Sequence, residues 1–230
     1  MKFEKTDVFG FEYAIKEMHA KNNFPIESDS GWKGFCTEDN DWVCEGCSYD
    51  ACLQSCEKIR EFVIGENDFN LMQKLILAGP EHRQFLRRIL VSVDITAPLY
   101  WWKEKEFEVG MTVKNTDINQ KFETPITMDS FEMRDFEEVN LNSGFSNTKY
   151  VWDTFIIPVL EELRQIYDTT QDERYWKELT RLLPQSWLET RTVTLDYETI
   201  LTLIQNNESS IIEWAKTLPY SDKLLLIHFK

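Results

Sequence analysis

Leu90-Val91-Ser92-Val93-Asp94-Ile95-Thr96-Ala97-Pro98-Leu99-Tyr100 is the stretch on which the reading of this sequence turns. Val91, Val93 and Ile95 alternate with Ser92, Asp94 and Thr96. Successive strand side chains point to opposite faces, so the segment is expected to form a strand with one buried and one polar face. Pro98 cannot donate to a ladder and ends it. Downstream, Tyr100 to Phe107 can form a helix, and Val109 to Glu123 suits a loop or a second short strand. Upstream, Asn67 is placed to cap a helix carrying Phe69, Leu71, Met72, Leu75 and Ile76, which Gly79 stops, and Pro80 can open the next helix.

Farther out, Phe11, Ile15 and Met18 recur at helical spacing, and a polar stretch from Lys21 to Lys33 containing Pro25 and Ser28-Asp29-Ser30 reads as a loop. Asp129 with Glu132 predicts a capping box, and Tyr150 to Tyr167 a long amphipathic helix, kinked or begun at Pro158. Asp172 to Leu183 is a further helix stopped by Pro184. Thr190 to Leu195 alternates as a second clear strand, after which Asp196 caps a helix through Ile204, and Ser210 with Glu213 predicts a last capping box. Helices with a few strands out of regular alternation indicate an α+β fold.

The chain has 230 residues, 42% of them hydrophobic and 13% aromatic, enough for a substantial core in one continuous domain. Forty acidic against 25 basic residues give a net charge of −15, so no broad cationic surface is offered to a phosphate backbone, and general nucleic-acid binding is excluded. No segment reads as a membrane span or an apolar signal core, and a cytoplasmic location is the expectation.

From Leu71 to Gln120 the chain resembles the flavin-dependent thymidylate synthases, with a helix, a Gly-containing turn bearing His, a strand ending Ala-Pro, and then the region of an arginine-rich motif. The residues are Leu75-Ile76-Leu77-Ala78-Gly79-Pro80-Glu81-His82 and the strand quoted above. A second block, Leu183-Pro184, Thr190-Arg191-Thr192-Val193-Thr194-Leu195-Asp196 and Ile212-Glu213-Trp214, is similar in the same order. The resemblance implies a small, mainly antiparallel sheet packed with helices, FAD as cofactor, a nucleotide as ligand, and a homo-oligomer, by family a tetramer. The family's Arg-His-Arg motif falls at Phe107-Glu108-Val109, with Asn115, Thr116 and Asp117 beyond, and its phosphate-binding arginine at Asn207. Phe and Val cannot supply the bidentate fork of a guanidinium, and Glu108 repels a diphosphate. Thymidylate synthesis is therefore not expected to survive.

Residues that match the family's ligand contacts are His82, Arg83, Arg87, Lys103 and Glu104. His82 reads first as a surface histidine on a charged helix, and Arg83, Arg87 and Arg88 either grip a phosphate or pair with acids along a helix. Trp101 and Trp102 can stack a ring or fill core. Glu104, Glu106 and Glu108 read as a solvated run. No Cys/His or Ser/His pair is visible around His19 or His228.

Cys36, Cys44, Cys47, Cys52 and Cys56 occupy a stretch, 36–56, with no counterpart in that family, which reads as an insertion. Cys44-x2-Cys47 and Cys52-x3-Cys56 can close a tetrahedral zinc site, the second pair sharing a face if Ala51 to Phe62 is helical. Free thiols and an iron–sulfur cluster are the alternatives. A different class of function, a non-catalytic acidic interaction protein on the same fold, rests on the charge alone.

Overall fold

The computed structural model describes residues 1–22, 27–35, 59–108, 112–114, 124–132, 147–206 and 209–226. Their elements run β1 (Lys2–Phe9), α1 (Phe11–Asn22), β2 (Gly31–Phe35), β3 (Ile59–Val63), α2 (Glu66–Ala78), β4 (Leu90–Pro98), α3 (Leu99–Glu108), β5 (Thr112–Lys114), α4 (Thr148–Val151), α5 (Ile157–Thr170), α6 (Glu173–Leu182), β6 (Leu188–Asp196), α7 (Tyr197–Gln205), α8 (Ser209–Ala215) and α9 (Ser221–Leu224). A four-stranded sheet has the order β1-β4-β6-β5, and β2 pairs with β3 in an antiparallel ribbon. Two compact units divide the chain, residues 1–7 with 92–194 and residues 8–91 with 195–230, and their boundaries fall within β1, β4 and β6.

In the first unit, the alternation read from β4 is realised: Val93, Ile95 and Ala97 are buried, while Asp94 and Thr96 lie on the other face. Burying such an aliphatic side chain contributes about 2 kcal/mol. On the polar face Thr96 bonds Thr190 at 2.7 Å, and Thr192 donates to Asp94 at 2.7 Å. Those partners run in opposite chain directions, so β4 and β6 are antiparallel, as β5 and β6 are. Lys5 adds an ion pair to Asp94 at 3.0 Å. A core of Ile126, Phe131, Trp152, Leu160, Leu179 and Trp187 gathers where α5 packs on α6. Between α4 and α5 the backbone widens into a π-turn over Trp152–Ile156, just before Pro158 at the start of α5. A proline there removes an amide donor, which accounts for the break that the sequence placed at this residue.

In the second unit, α1 and α7 both pack on a short 3-10 helix, Gln84–Arg88, and α2 packs on α9. Phe11 stands edge-on to Tyr197 and Tyr220, with centroids 5.8 and 5.3 Å away. Gly10 has φ +102°, and a Cβ there would lie 1.9 Å from the Arg88 carbonyl oxygen, so only glycine permits this approach.

Several local expectations are corrected. Asn67 lies inside α2, whose N-cap is Gly65 with no side-chain cap of its own; Asp29 instead accepts the Asn67 and Asp68 amides at 2.9 and 3.2 Å. Pro80 opens a turn rather than a helix, because the following residues wind as 3-10 only from Gln84. The capping box near 129 is made by Thr127 and Ser130, not Asp129 and Glu132. Ser210 falls within α8, so its pairing with Glu213 is not a cap. The loop read over Lys21 to Lys33 gives way to β2 at Gly31, and the described end of the 51–62 stretch is strand, since β3 begins at Ile59. The strand Lys2–Phe9 was not foreseen, because six of its eight side chains are exposed and no alternation marks it.

Candidate functional site

In the second unit an open groove of about 1120 Å³ lies along the start of α1. Its apolar walls include Val8, Phe9, Tyr13, Trp32, Phe62 and Leu90. Three of these aromatics are unusually open, Tyr13 at 65%, Trp32 at 57% and Phe9 at 47%. Large aromatics clustered in the open are a marker of recognition surfaces rather than of core. Trp32 packs edge-on to Phe62 at 5.5 Å across the β2–β3 ribbon, and its indole donates to Glu12 at 3.1 Å. Glu12 also accepts from Lys16 at 2.6 Å. The Lys16 bond first, and the indole bond second, hold the Glu12 carboxyl below its usual range.

Arg87 and Arg88 line the same groove. Arg87 donates through Nε to Glu198, and Arg88 through Nε to Glu17. Arg83, buried, has Nε 3.7 Å from Glu198 and no hydrogen-bond partner for that atom. The Glu198 bond raises the already high pKa of Arg87. The arginine cluster thus pairs with acids, but with acids from α1 and α7 rather than along its own helix.

A second polar cluster lies where α1, α2 and the 27–30 loop meet. Asp68, 1% exposed, accepts hydrogen bonds from Ser28 at 2.6 Å and Ser30 at 2.5 Å, and contacts His19 Nε2 at 2.6 Å. Burial alone pushes the Asp68 carboxyl up; the bonds from Ser28, Ser30 and His19 outweigh it and hold the group below its usual range. Ser30 Oγ also accepts the Gly65 amide at 3.0 Å. Asp29 caps α2 from the same loop, and a Cβ on Gly65 would lie 2.1 Å from its Cγ. The two aspartates form a reciprocal clamp that positions the strand carrying Trp32. Both serines donate to the carboxylate and not to the imidazole, so the group is a brace, not a nucleophilic triad.

Of the residues singled out in the sequence, His82 sits exposed on the turn after α2, Arg83 and Arg87 flank or form the 3-10 helix, and Lys103 and Glu104 are exposed on α3 in the other unit. Arg83 and Arg87 come together on Glu198; His82 does not line the groove. Trp101 and Trp102 are core: both are buried, and the Trp102 indole donates to the Glu189 carbonyl at 3.1 Å. Phe107 and Glu108 end α3. Val109, Asn115, Thr116, Asp117, Asn207, His228 and all five cysteines lie outside the described residues. No group of three metal-ligating side chains occurs among the described residues. No helix among them is long and apolar enough to cross a membrane. The groove aromatics were missed in the sequence because Tyr13 falls off the Phe11/Ile15/Met18 stripe and Trp32 sits in a polar stretch; those displacements were the available signal.

The α+β architecture with its small antiparallel sheets is the fold of the flavin-dependent thymidylate synthases. A crystal structure of thymidylate synthase X (ThyX) from Helicobacter pylori with FAD and dUMP matches over 100% of both chains, with TM-score 0.53 and 12% identity. A second crystal structure of that enzyme, also complexed with FAD and dUMP, aligns over 70% of this chain and 83% of its own at TM-score 0.47 and 12% identity. No family model matches the sequence, and a search of curated proteins finds no match.

Proposed function

We propose that this chain is a divergent protein on the flavin-dependent thymidylate synthase fold, of nucleotide- or flavin-binding ancestry, that no longer makes thymidylate. The carrying observation is that Arg83, Arg87 and Arg88 each face a carboxylate of the chain itself. The three arginines share two carboxylates, Glu198 and Glu17, which leaves one net positive charge, too little for a flavin's diphosphate, so this cluster does not fit it. The Phe107-Glu108-Val109 sequence at the position of the family's arginine motif supports the same reading. The positions of the family's ligand contacts are candidates in each unit by itself, His82, Arg83 and Arg87 in one and Lys103 and Glu104 in the other, and Lys in place of a bidentate arginine selects something other than uridylate. The relative's complex with FAD and dUMP gives the direct test: purified protein offered both, with reduced nicotinamide and a methylene donor, should form no thymidylate, and turnover would overturn the proposal.

A second reading, a non-catalytic interaction protein on the same fold, is favoured by the exposed Tyr13, Trp32 and Phe9 together with the net charge of −15. The two readings are compatible, since loss of chemistry frees a fold for binding. Homo-oligomerisation belongs to the same proposal.

A further inference from the structure

We infer that the groove beside α1 binds a small monoanionic amphiphile, a flat aromatic or apolar body carrying one carboxylate, and not a nucleotide. The inference is independent of whether the ancestral chemistry is lost. The body's place follows from Phe9, Tyr13 and Trp32, three rings left largely in the open along one groove. Lys16 Nζ lies 5.7 Å from the centre of the Tyr13 ring, a cation–π contact that ties the ring to α1.

The anion's place follows from how the two arginines are held. Arg87 and Arg88 are each tethered through Nε, to Glu198 and Glu17, while their side chains remain 59% and 61% exposed. A guanidinium fixed at Nε still presents its two terminal amino groups, and a carboxylate is the acceptor whose geometry matches them. Charge then selects the ligand. Arg83, Arg87, Arg88 and Lys16 face Glu12, Glu17 and Glu198, so the collar carries a single surplus positive charge before a ligand arrives. One added negative charge balances that surplus; a phosphate dianion or a diphosphate would bring excess charge beside three carboxylates on a chain that is already strongly acidic.

The test uses the full chain and three probes with one ring system: 2-naphthoate, 2-naphthalenemethanol and 2-naphthyl phosphate, titrated calorimetrically at pH 8 and low salt. Naphthoate should bind at least about tenfold more tightly than the neutral alcohol and the phosphate dianion, the size expected of one charge-assisted contact. Arg88→Gln should remove the preference for naphthoate over the alcohol, and Tyr13→Ala, at an exposed site, should weaken both by a similar factor. Unfolding midpoints of these variants check that each is folded; Trp32→Phe is the second wall variant and should weaken all three probes if Tyr13→Ala does not fold. Absence of naphthoate binding, equal affinity for acid and alcohol, tighter binding of the phosphate, or indifference to Arg88→Gln would each overturn the inference.

Discussion

Removing the Asp68 carboxylate should open the clamp that fixes the 27–30 loop to α1 and α2. In Asp68→Ala, His19 loses its partner, Ser28 and Ser30 lose their acceptor, and a buried site is left with a small void. A hydrogen bond to a charged group contributes about 1.5–3 kcal/mol, but the terms are not additive, and Ser28 and Ser30 can turn to water. We expect a loss of about 2–3 kcal/mol, or roughly 5–10 °C in thermal midpoint for a chain of this size. The pH dependence gives the sharper readout. The folded-state carboxyl is held below its ordinary value, so the unfolded chain binds the proton more readily. The clamp's contribution is therefore complete above the ordinary carboxylate range and is lost as pH falls through the lowered folded value. Asp68→Asn keeps the shape and one acceptor but cannot titrate. Circular-dichroism melts of the parent and both variants between neutral pH and pH 3 measure this. A midpoint for Asp68→Ala within 1 °C of the parent, or an unchanged acid limb in Asp68→Asn, would refute the reasoning.

Glu161 accepts two bonds from Arg164, at 2.8 and 2.7 Å, and one from the Ile126 amide at 2.8 Å, and the Arg164 contact leads in pulling its pKa down from 4.5 to about 2. It should supply about 3 kcal/mol above pH 4.5 that disappears toward pH 2; Glu161→Gln should cost roughly that at pH 7 and flatten the acid limb of the melting profile. If Cys44, Cys47, Cys52 and Cys56 hold zinc, protein purified under reducing conditions without chelator should carry about one equivalent by elemental analysis, and less than half an equivalent rejects the site. Sedimentation at micromolar concentration should give a mass of at least two chains; a monomer mass contradicts the oligomer proposal.

Much of the fold was legible where one periodicity dominated. The alternation of β4 and β6 and the capping of α7 by Asp196 follow from local sequence, and Asp196 does accept the Thr199 amide at 2.7 Å. What was not legible depended on residues far apart in the chain. Asp29 caps a helix that begins 37 positions later, so a search for a local cap settled on Asn67. The strand β1 has six exposed side chains of eight and is defined by its place at the sheet edge, which no pattern of its own records. Within the site, the sequence located the arginine cluster but not its partners, because Glu17 and Glu198 lie 71 and 111 positions away. Those partners change the meaning of the cluster, from a grip on phosphate to a collar whose charge is largely offset.

The central claim, that the synthase fold is kept while its grip on flavin diphosphate is lost, is tested most directly by the visible absorption spectrum of the protein purified from cells, incubated with excess FAD and then dialysed against buffer without FAD. The account predicts a colourless protein with no flavin retained after dialysis. A yellow protein carrying close to one FAD per chain would contradict it.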